Sequence, residues 1–388
     1  MTDPWGTDPW RTDPWSLPGQ ERAVSVLRGA AGRGEVGHAW AFVGPAGVGQ
    51  DQAARALASA LNCEVTSTEQ RPCGVCSACG RTLRGVHPAY VQFERTGAFH
   101  RVDDVRDAWL ATAFRTITEG QFKVLRIVDA DRMNEAAANA FLKALEEPPA
   151  RTVWVLDLAD PDELPDTILS RCRMVRFAPW QPEQLRAEAV RLGLTNHGDC
   201  DLAVRASMGS PVALRRFARP GGLDDLRRSR AILGRLRQEG PGASLVLARE
   251  LDEVVRRQVA ARREEGKTAL AALAAGYGDE VPPAVARHVE ALATREERET
   301  KTSTLQAALD DLTSWLRDCL LVAVGGEISD AIHRDTPEAL REDATIGCAR
   351  LLRAADLVRS TRDSLERNAQ PQLALEALFL ELHALGCG

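Results

Sequence analysis

Nine cysteines occur in the chain, and four of them, Cys63, Cys73, Cys76 and Cys79, form C-x9-C-x2-C-x2-C on an excursion rich in Gly and Pro. In a reducing compartment such a cluster points to metal rather than to disulfides. Four thiolates at these spacings suit tetrahedral Zn²⁺ and leave no open coordination position, so the expected site is structural. The other five, Cys172, Cys200, Cys319, Cys348 and Cys387, are scattered and read as small core residues. His87 and His100 lie outside the cluster and read as surface or packed histidines.

A second group of residues has the frame of a phosphate site. Gly44-Pro45-Ala46-Gly47-Val48-Gly49-Gln50-Asp51 follows an apolar run and precedes a helical segment over 52–61, the setting in which a GxxxxGK[ST] loop wraps phosphates with backbone N–H groups. Gly44, Gly47 and Gly49 keep that frame. The lysine that neutralises the phosphates and the hydroxyl that ligates Mg²⁺ are replaced by Gln50 and Asp51. Losing a cation and adding an anion changes two unit interactions, each about 4 kcal/mol at about 4 Å in an effective dielectric of about 20. Tight Mg-ATP binding is not expected; the readings that remain are a structurally retained loop and weak nucleotide binding. Val124 to Asp131 is an apolar strand ending in acid, as at a Walker B site, with Asp129 in the metal-ligand position. Ala130 stands where an ATPase carries the Glu that orients water, and Asp131 comes one residue late in the strand alternation.

The elements that position these residues follow from periodicity. Runs 39–43, 90–93, 124–129 and 152–158 read as buried strands alternating with helices, which predicts an α/β domain with a parallel sheet over 17–178. After Pro179 only helical patterns appear, broken at Pro220–Gly222, Pro241–Gly242, Pro282–Pro283 and Gly325–Gly326. A helical segment over 179–220 and an all-α region over 221–388 are expected. Leu305, Leu309, Leu312, Leu316 and Leu320 make one apolar stripe, for core packing or an intersubunit surface. The charged, Ala-rich stretch 259–304 reads as a solvated insertion. After Pro371, Leu373 to Leu382 is apolar on almost every side and calls for burial between neighbours. TDPW occurs three times before Ser16, and its prolines predict an unstructured tail over 1–16, with docking of the three Trp on a partner as the alternative.

At 388 residues the chain has length for two or three domains, and 44% hydrophobic with 27% charged residues excludes collagen-like, wholly disordered and disulfide-scaffold classes. The net charge of −6 supplies no bulk attraction for nucleic acid. No apolar window suits a membrane span and no export signal is visible, so a cytoplasmic protein is expected.

Four segments together resemble the AAA+ subunits of the bacterial DNA polymerase III clamp loader. They are His38-Ala39-Trp40-Ala41-Phe42, the four-Cys module, Asn139 through Leu145 to Glu146-Glu147-Pro148-Pro149, and Leu164-Pro165-Asp166-Thr167-Ile168-Leu169-Ser170-Arg171-Cys172. The likeness runs from about Leu17 to Pro220, and Asn368 to Leu378 is similar to the last collar helix of such subunits. It implies a P-loop α/β AAA+ domain, a small lid and an oligomerising collar in a ring that loads the sliding clamp on primed DNA. Two members share the motif set, the gamma/tau motor and the ATPase-inactive delta-prime subunit; Gln50, Asp51 and Ala130 favour the latter. The resemblance implies gamma/tau and delta subunits as partners, and the polymerase holoenzyme, a nucleotidyltransferase complex, as the setting. It also makes Arg171 an arginine finger reaching a neighbour's ATP site, against the plainer reading of an Arg paired with Asp166 or a nearby carbonyl. Val212 and Ala213 stand where the sensor 2 Arg belongs, with Arg215 following them, and Leu158 and Ala159 replace the sensor 1 Thr. Two readings compete with this one: an active gamma/tau-like ATPase, and a DNA-binding zinc protein, which the sparse cations Arg71, Arg81 and Arg84 around the module disfavour.

Overall fold

The computed structural model describes residues 13–34, 36–95, 99–117, 119–275, 283–367 and 369–387. The first two TDPW units lie outside them. Described residues divide into two compact units, one formed by 13–193 with 207–215 and the other by 194–206 with 216–387. The segment 179–220, expected as a lid, is therefore shared between the units rather than forming a body of its own.

The first unit contains α1 (Glu21–Arg33), β1 (Ala39–Val43), α2 (Gln50–Asn62), α3 (Ser77–Leu83), β2 (Tyr90–Phe93), α4 (Ala111–Phe114), β3 (Lys123–Ile127), α5 (Glu135–Glu146), β4 (Thr152–Leu158), α6 (Asp166–Leu169), β5 (Arg173–Arg176) and α7 (Pro182–Arg191). Its strands form one sheet in the order β2-β3-β4-β1-β5, with every pair parallel. Every residue of β1, β3 and β4 is buried, as expected where helices cover both faces. Trp40, Phe42, Val124, Val153 and Val155 pack with α1 and α2 on one face; Ala41, Leu125, Ile127, Trp154 and Leu156 pack with α5 and α6 on the other. Strand alternation therefore points Arg126 and Asp157, each flanked by residues of the second face, toward α2. The strand β5 went unread in the sequence because only Val175 of its four residues is buried.

Trp15 belongs to this unit. It is 4% exposed, packs in the core under α1 and α2, and its indole donates to the Arg71 carbonyl at 3.3 Å. The end of the third TDPW repeat, Asp13 to Trp15, is thus part of the fold, because a Trp next to Leu17 has an apolar cleft to fill.

The second unit is helical: α8 (His197–Ala206), the end of α9 (Pro211–Ala218), α10 (Gly222–Arg230), α11 (Ile232–Glu239), α12 (Ala243–Ala275), α13 (Pro283–Ala323), α14 (Pro337–Ala344), α15 (Cys348–Glu366) and α16 (Pro371–Leu382). Leu305, Leu309, Leu312 and Leu316 are buried in its core with Leu320 packed against them, so the leucine stripe of α13 serves internal packing. The stretch 259–304 is helical wherever it is described, because it continues α12 and begins α13, and Arg263 clasps Glu297 with two bonds of 2.8 Å. Helix α16 buries Leu375, Leu378, Phe379 and Leu382 yet leaves Leu373 and Leu380 largely exposed, so it is covered on one side rather than all round. Among the described residues no helix is long and apolar enough to cross a membrane.

Candidate functional site

The P-loop runs from the end of β1 to the first turn of α2. Gly44 donates its N–H to the Leu158 carbonyl at 2.9 Å, and a Cβ there would lie 2.3 Å from the Phe177 carbonyl oxygen, so only glycine fits. Gly47, at φ 78°, leaves a Cβ no room either: Ser210 Oγ and Val212 Cβ would both lie 3.0 Å away. Val212, which stands where the sensor 2 Arg was expected, thus lies beside the loop. Val48 is held from two directions, its carbonyl accepting from Gln20 Nε2 at 3.0 Å and from the Trp180 indole at 3.3 Å.

Gln50 turns back into the loop that precedes it. Its Nε2 donates to the Pro45 carbonyl at 2.7 Å and to the Gly44 carbonyl at 3.1 Å, while its Oε1 accepts the Val48 N–H at 3.2 Å; the side chain is buried. One backbone donor of the kind a phosphate would need is thereby satisfied internally. Asp51 accepts from Arg55 Nε at 2.9 Å and from Arg126 at 2.8 Å. Arg126 in turn donates to Gln92 Oε1 at 2.6 Å and to the Asp157 carboxylate. Burial pushes the Asp157 carboxyl up to about 6 against the pull of Arg126, whose own guanidinium the two carboxylates keep firmly charged.

Strand β3 ends before the expected acid. Asp129 sits in the left-handed region at φ 52°, outside the strand alternation, and its carboxylate accepts from Arg95 Nε at 3.0 Å. Ala130 is fully buried, and Asp131 accepts the N–H groups of Ala159 and Asp160, both at 3.1 Å, which ties the turn after β3 to the end of β4. The β3 side chain that bonds to α2 at Asp51 is Arg126.

Arg171 lies in the turn between α6 and β5. It donates to the Glu146 carboxylate at 2.8 Å and to the Thr167 carbonyl at 2.9 Å, with its side chain 37% exposed. The partner is Glu146 rather than Asp166, joining the two motifs through the end of α5. Arg215 lies 3.4 Å from Glu188.

The four cysteines come together at the α2 end and the α3 start. Their Sγ atoms all lie within 4.8 Å of one another; tetrahedral zinc with bonds of about 2.3 Å needs sulfurs about 3.8 Å apart, so the set fits that ion. The Cys73 Sγ accepts the Cys76 N–H at 3.3 Å and the Cys76 Sγ accepts the Cys79 N–H at 3.4 Å. Burial pushes the Cys73 thiol up, but the N–H groups of Cys76 and Val75 outweigh it and bring it down to about 7; burial drives Cys79 well up.

Motif spacing located the loop glycines, Gln50, Asp51, Arg171 and the four thiols. It missed Gln20, Arg126, Asp157 and Trp180, and the one available signal was a charged residue, Arg126 or Asp157, flanked by apolar residues inside each of two strands.

A P-loop joined to a five-stranded all-parallel sheet with the order found here defines an α/β module of the P-loop fold class. Residues 19–181 match the family model described as DNA polymerase III, delta subunit. The chain is 37% identical over 168 residues to the DNA polymerase III subunit tau of Salmonella typhimurium, covering 43% of this chain and 26% of that protein. It is 32% identical over 199 residues to the subunit gamma/tau of Mycobacterium tuberculosis, covering 50% of this chain and 34% of that protein. The alignments thus span about a quarter to a third of the relatives' own length. A crystal structure of a DNA polymerase III gamma subunit-related protein from Thermotoga maritima aligns with TM-score 0.42 and 15% identity over 92% of this chain and 97% of that one. Over the matched region the chain is similar to clamp-loader AAA+ proteins related to the gamma/tau subunit of DNA polymerase III.

Proposed function

We propose that this chain is the ATPase-inactive, delta-prime-type subunit of a cytoplasmic clamp loader, assembling with gamma/tau and delta subunits to place the sliding clamp on primed DNA. The observation that carries this reading is Gln50, whose amide occupies its own loop while Asp51 is bound to Arg126. A loop already satisfied this way has little left to offer a triphosphate. The helical unit would then be the collar, and the four thiolates would hold a structural Zn²⁺ that fixes the excursion between α2 and α3. In this reading Arg171, on the surface and paired with Glu146, supplies a guanidinium to a neighbour's ATP, which requires no nucleotide site of its own. The active-motor alternative draws its support from the sequence relatives, which include tau and gamma/tau subunits.

The test is to mix the purified chain with gamma/tau and delta subunits, isolate any ring, and compare ATP hydrolysis by the chain alone and by the ring. A stable ring whose activity comes from the partners supports the proposal. Hydrolysis by the pure chain, or failure to assemble, overturns it.

A further inference from the structure

The P-loop contains a charge arrangement that loss of its lysine does not explain. In a working loop the side chain at the position of Asp51 is a hydroxyl that ligates Mg²⁺, and the metal with its phosphates supplies the local charge. Here that position is a carboxylate, and a second carboxylate, Asp157, faces the same space from β4. Asp157 is buried and needs a cation, while Asp51, 38% exposed, is also paired with Arg55 at 2.9 Å. Arg126 lies between them, its NH1 2.8 Å from Asp51 Oδ1 and its NH2 bonded to Asp157 Oδ2, with only 8% of its side chain exposed. The guanidinium is not fully used, since Arg126 Nε and Asp157 Oδ1 are both buried without a hydrogen-bond partner. That is the mark of a group placed for charge more than for an ideal hydrogen-bond set.

We infer that Arg126 is a built-in counter-cation that takes over the electrostatic role of the metal ion at this P-loop and so excludes a divalent cation. This rests on the nucleotide-free reading of the loop, but it makes a separate claim: restoring residues 50 and 51 would not be enough to readmit a metal while Arg126 remains. The chemistry is a substitution of like for like, one delocalised cation bridging two carboxylates where a small hard cation would sit. With the guanidinium gone, Asp51 and Asp157 present the oxygen donors such an ion takes.

The experiment uses the full-length, zinc-loaded chain with Mn²⁺ alone as probe, binding followed by the paramagnetic resonance of the free ion and stability by thermal unfolding. The unmodified chain is expected to leave millimolar Mn²⁺ free and to show no change in midpoint. Arg126→Met should unfold at lower temperature, bind one additional Mn²⁺, and recover several degrees of midpoint when the ion is added; Arg126→Met with Asp157→Asn should lose both responses. A folded Arg126→Met chain that ignores Mn²⁺, or an unmodified chain that binds it equally, overturns the inference. Should Arg126→Met fail to fold, the variant Arg126→Met/Asp51→Asn/Asp157→Asn decides: folding of this neutralised set supports a charge-balancing role, and its failure overturns it. Mg-ATP binding by the unmodified chain would instead overturn the reading of the loop, a result the Mn²⁺ measurements do not mimic.

Discussion

Arg171 donates to Glu146 across 2.8 Å, linking the turn after α6 to the last residue of α5. Both side chains are over a third exposed, and exposed pairs of this kind contribute about 0–1 kcal/mol. Arg171→Ala should therefore leave the unfolding midpoint, zinc content and ring assembly unchanged. Within an assembled ring it should lower partner ATP hydrolysis and slow clamp loading. Such fingers contribute roughly 10³–10⁵ in rate in GTPases, diluted here by several sites, and Arg171→Lys should rescue poorly because an ammonium lacks the planar fork. Unchanged hydrolysis by the ring carrying alanine would rule out the role.

The buried amide of Gln50 sets the expectation for nucleotide. Isothermal titration of the pure chain with Mg-ATP should show no micromolar binding. Gln50→Lys alone should not create it, because Asp51 still stands where a hydroxyl ligates Mg²⁺ and stays bound to Arg126. Micromolar affinity in either protein contradicts this account of the loop.

Metal analysis of freshly purified protein should find one Zn²⁺ per chain. Cys76→Ser should release it and make the excursion between α2 and α3 sensitive to protease, with a smaller effect on the sheet, whose core lies elsewhere. Absence of zinc from the unmodified chain would remove the metal from this picture.

Trp15→Ala should destabilise the first unit by about 3 kcal/mol, since it empties a buried aromatic site and removes the bond to the Arg71 carbonyl. Denaturant titration measures this directly. A change near zero would mean that the tryptophan merely rests on the surface of the core.

His333 makes the helical unit sensitive to acid. It is fully buried, its ring meets Ser314 Oγ at 2.9 Å, and burial with the nearby Arg230 lowers it from 6.5 to about 4. Unfolded chain takes up a proton between about 6.5 and 4 that the folded state refuses, so stability falls as pH drops through that window. The loss approaches about 3 kcal/mol below pH 4. His333→Gln should flatten the unfolding free energy of this unit between pH 7 and 5; an unaltered pH profile would assign the acid sensitivity to other groups.

The four main strands, the leucine stripe of α13, the phosphate-loop frame and the thiol cluster were legible in the sequence, because each depends on local spacing. Strand β5 was not, since three of its four residues are exposed and lack the apolar signal of a buried strand. Trp15 was masked by the repeat that contains it: Thr-Asp-Pro-Trp reads as a turn-rich tail in every copy, and only a cleft formed by distant residues distinguishes the third.

The sequence by itself determined which groups the P-loop lacks, since a missing lysine and hydroxyl are facts of residue type. Only the tertiary structure decided what replaced them. Arg126 and Asp157 lie 31 positions apart, on β3 and β4, and 75 positions separate Arg126 from Asp51. Their meeting depends on two parallel strands in register beside the first turn of α2, and no local spacing encodes a contact between crossovers. Gln50 shows the same division on a smaller scale: its identity excludes a lysine's chemistry, whereas the turn of its amide onto the Gly44 and Pro45 carbonyls and the Val48 N–H exists only in the folded loop.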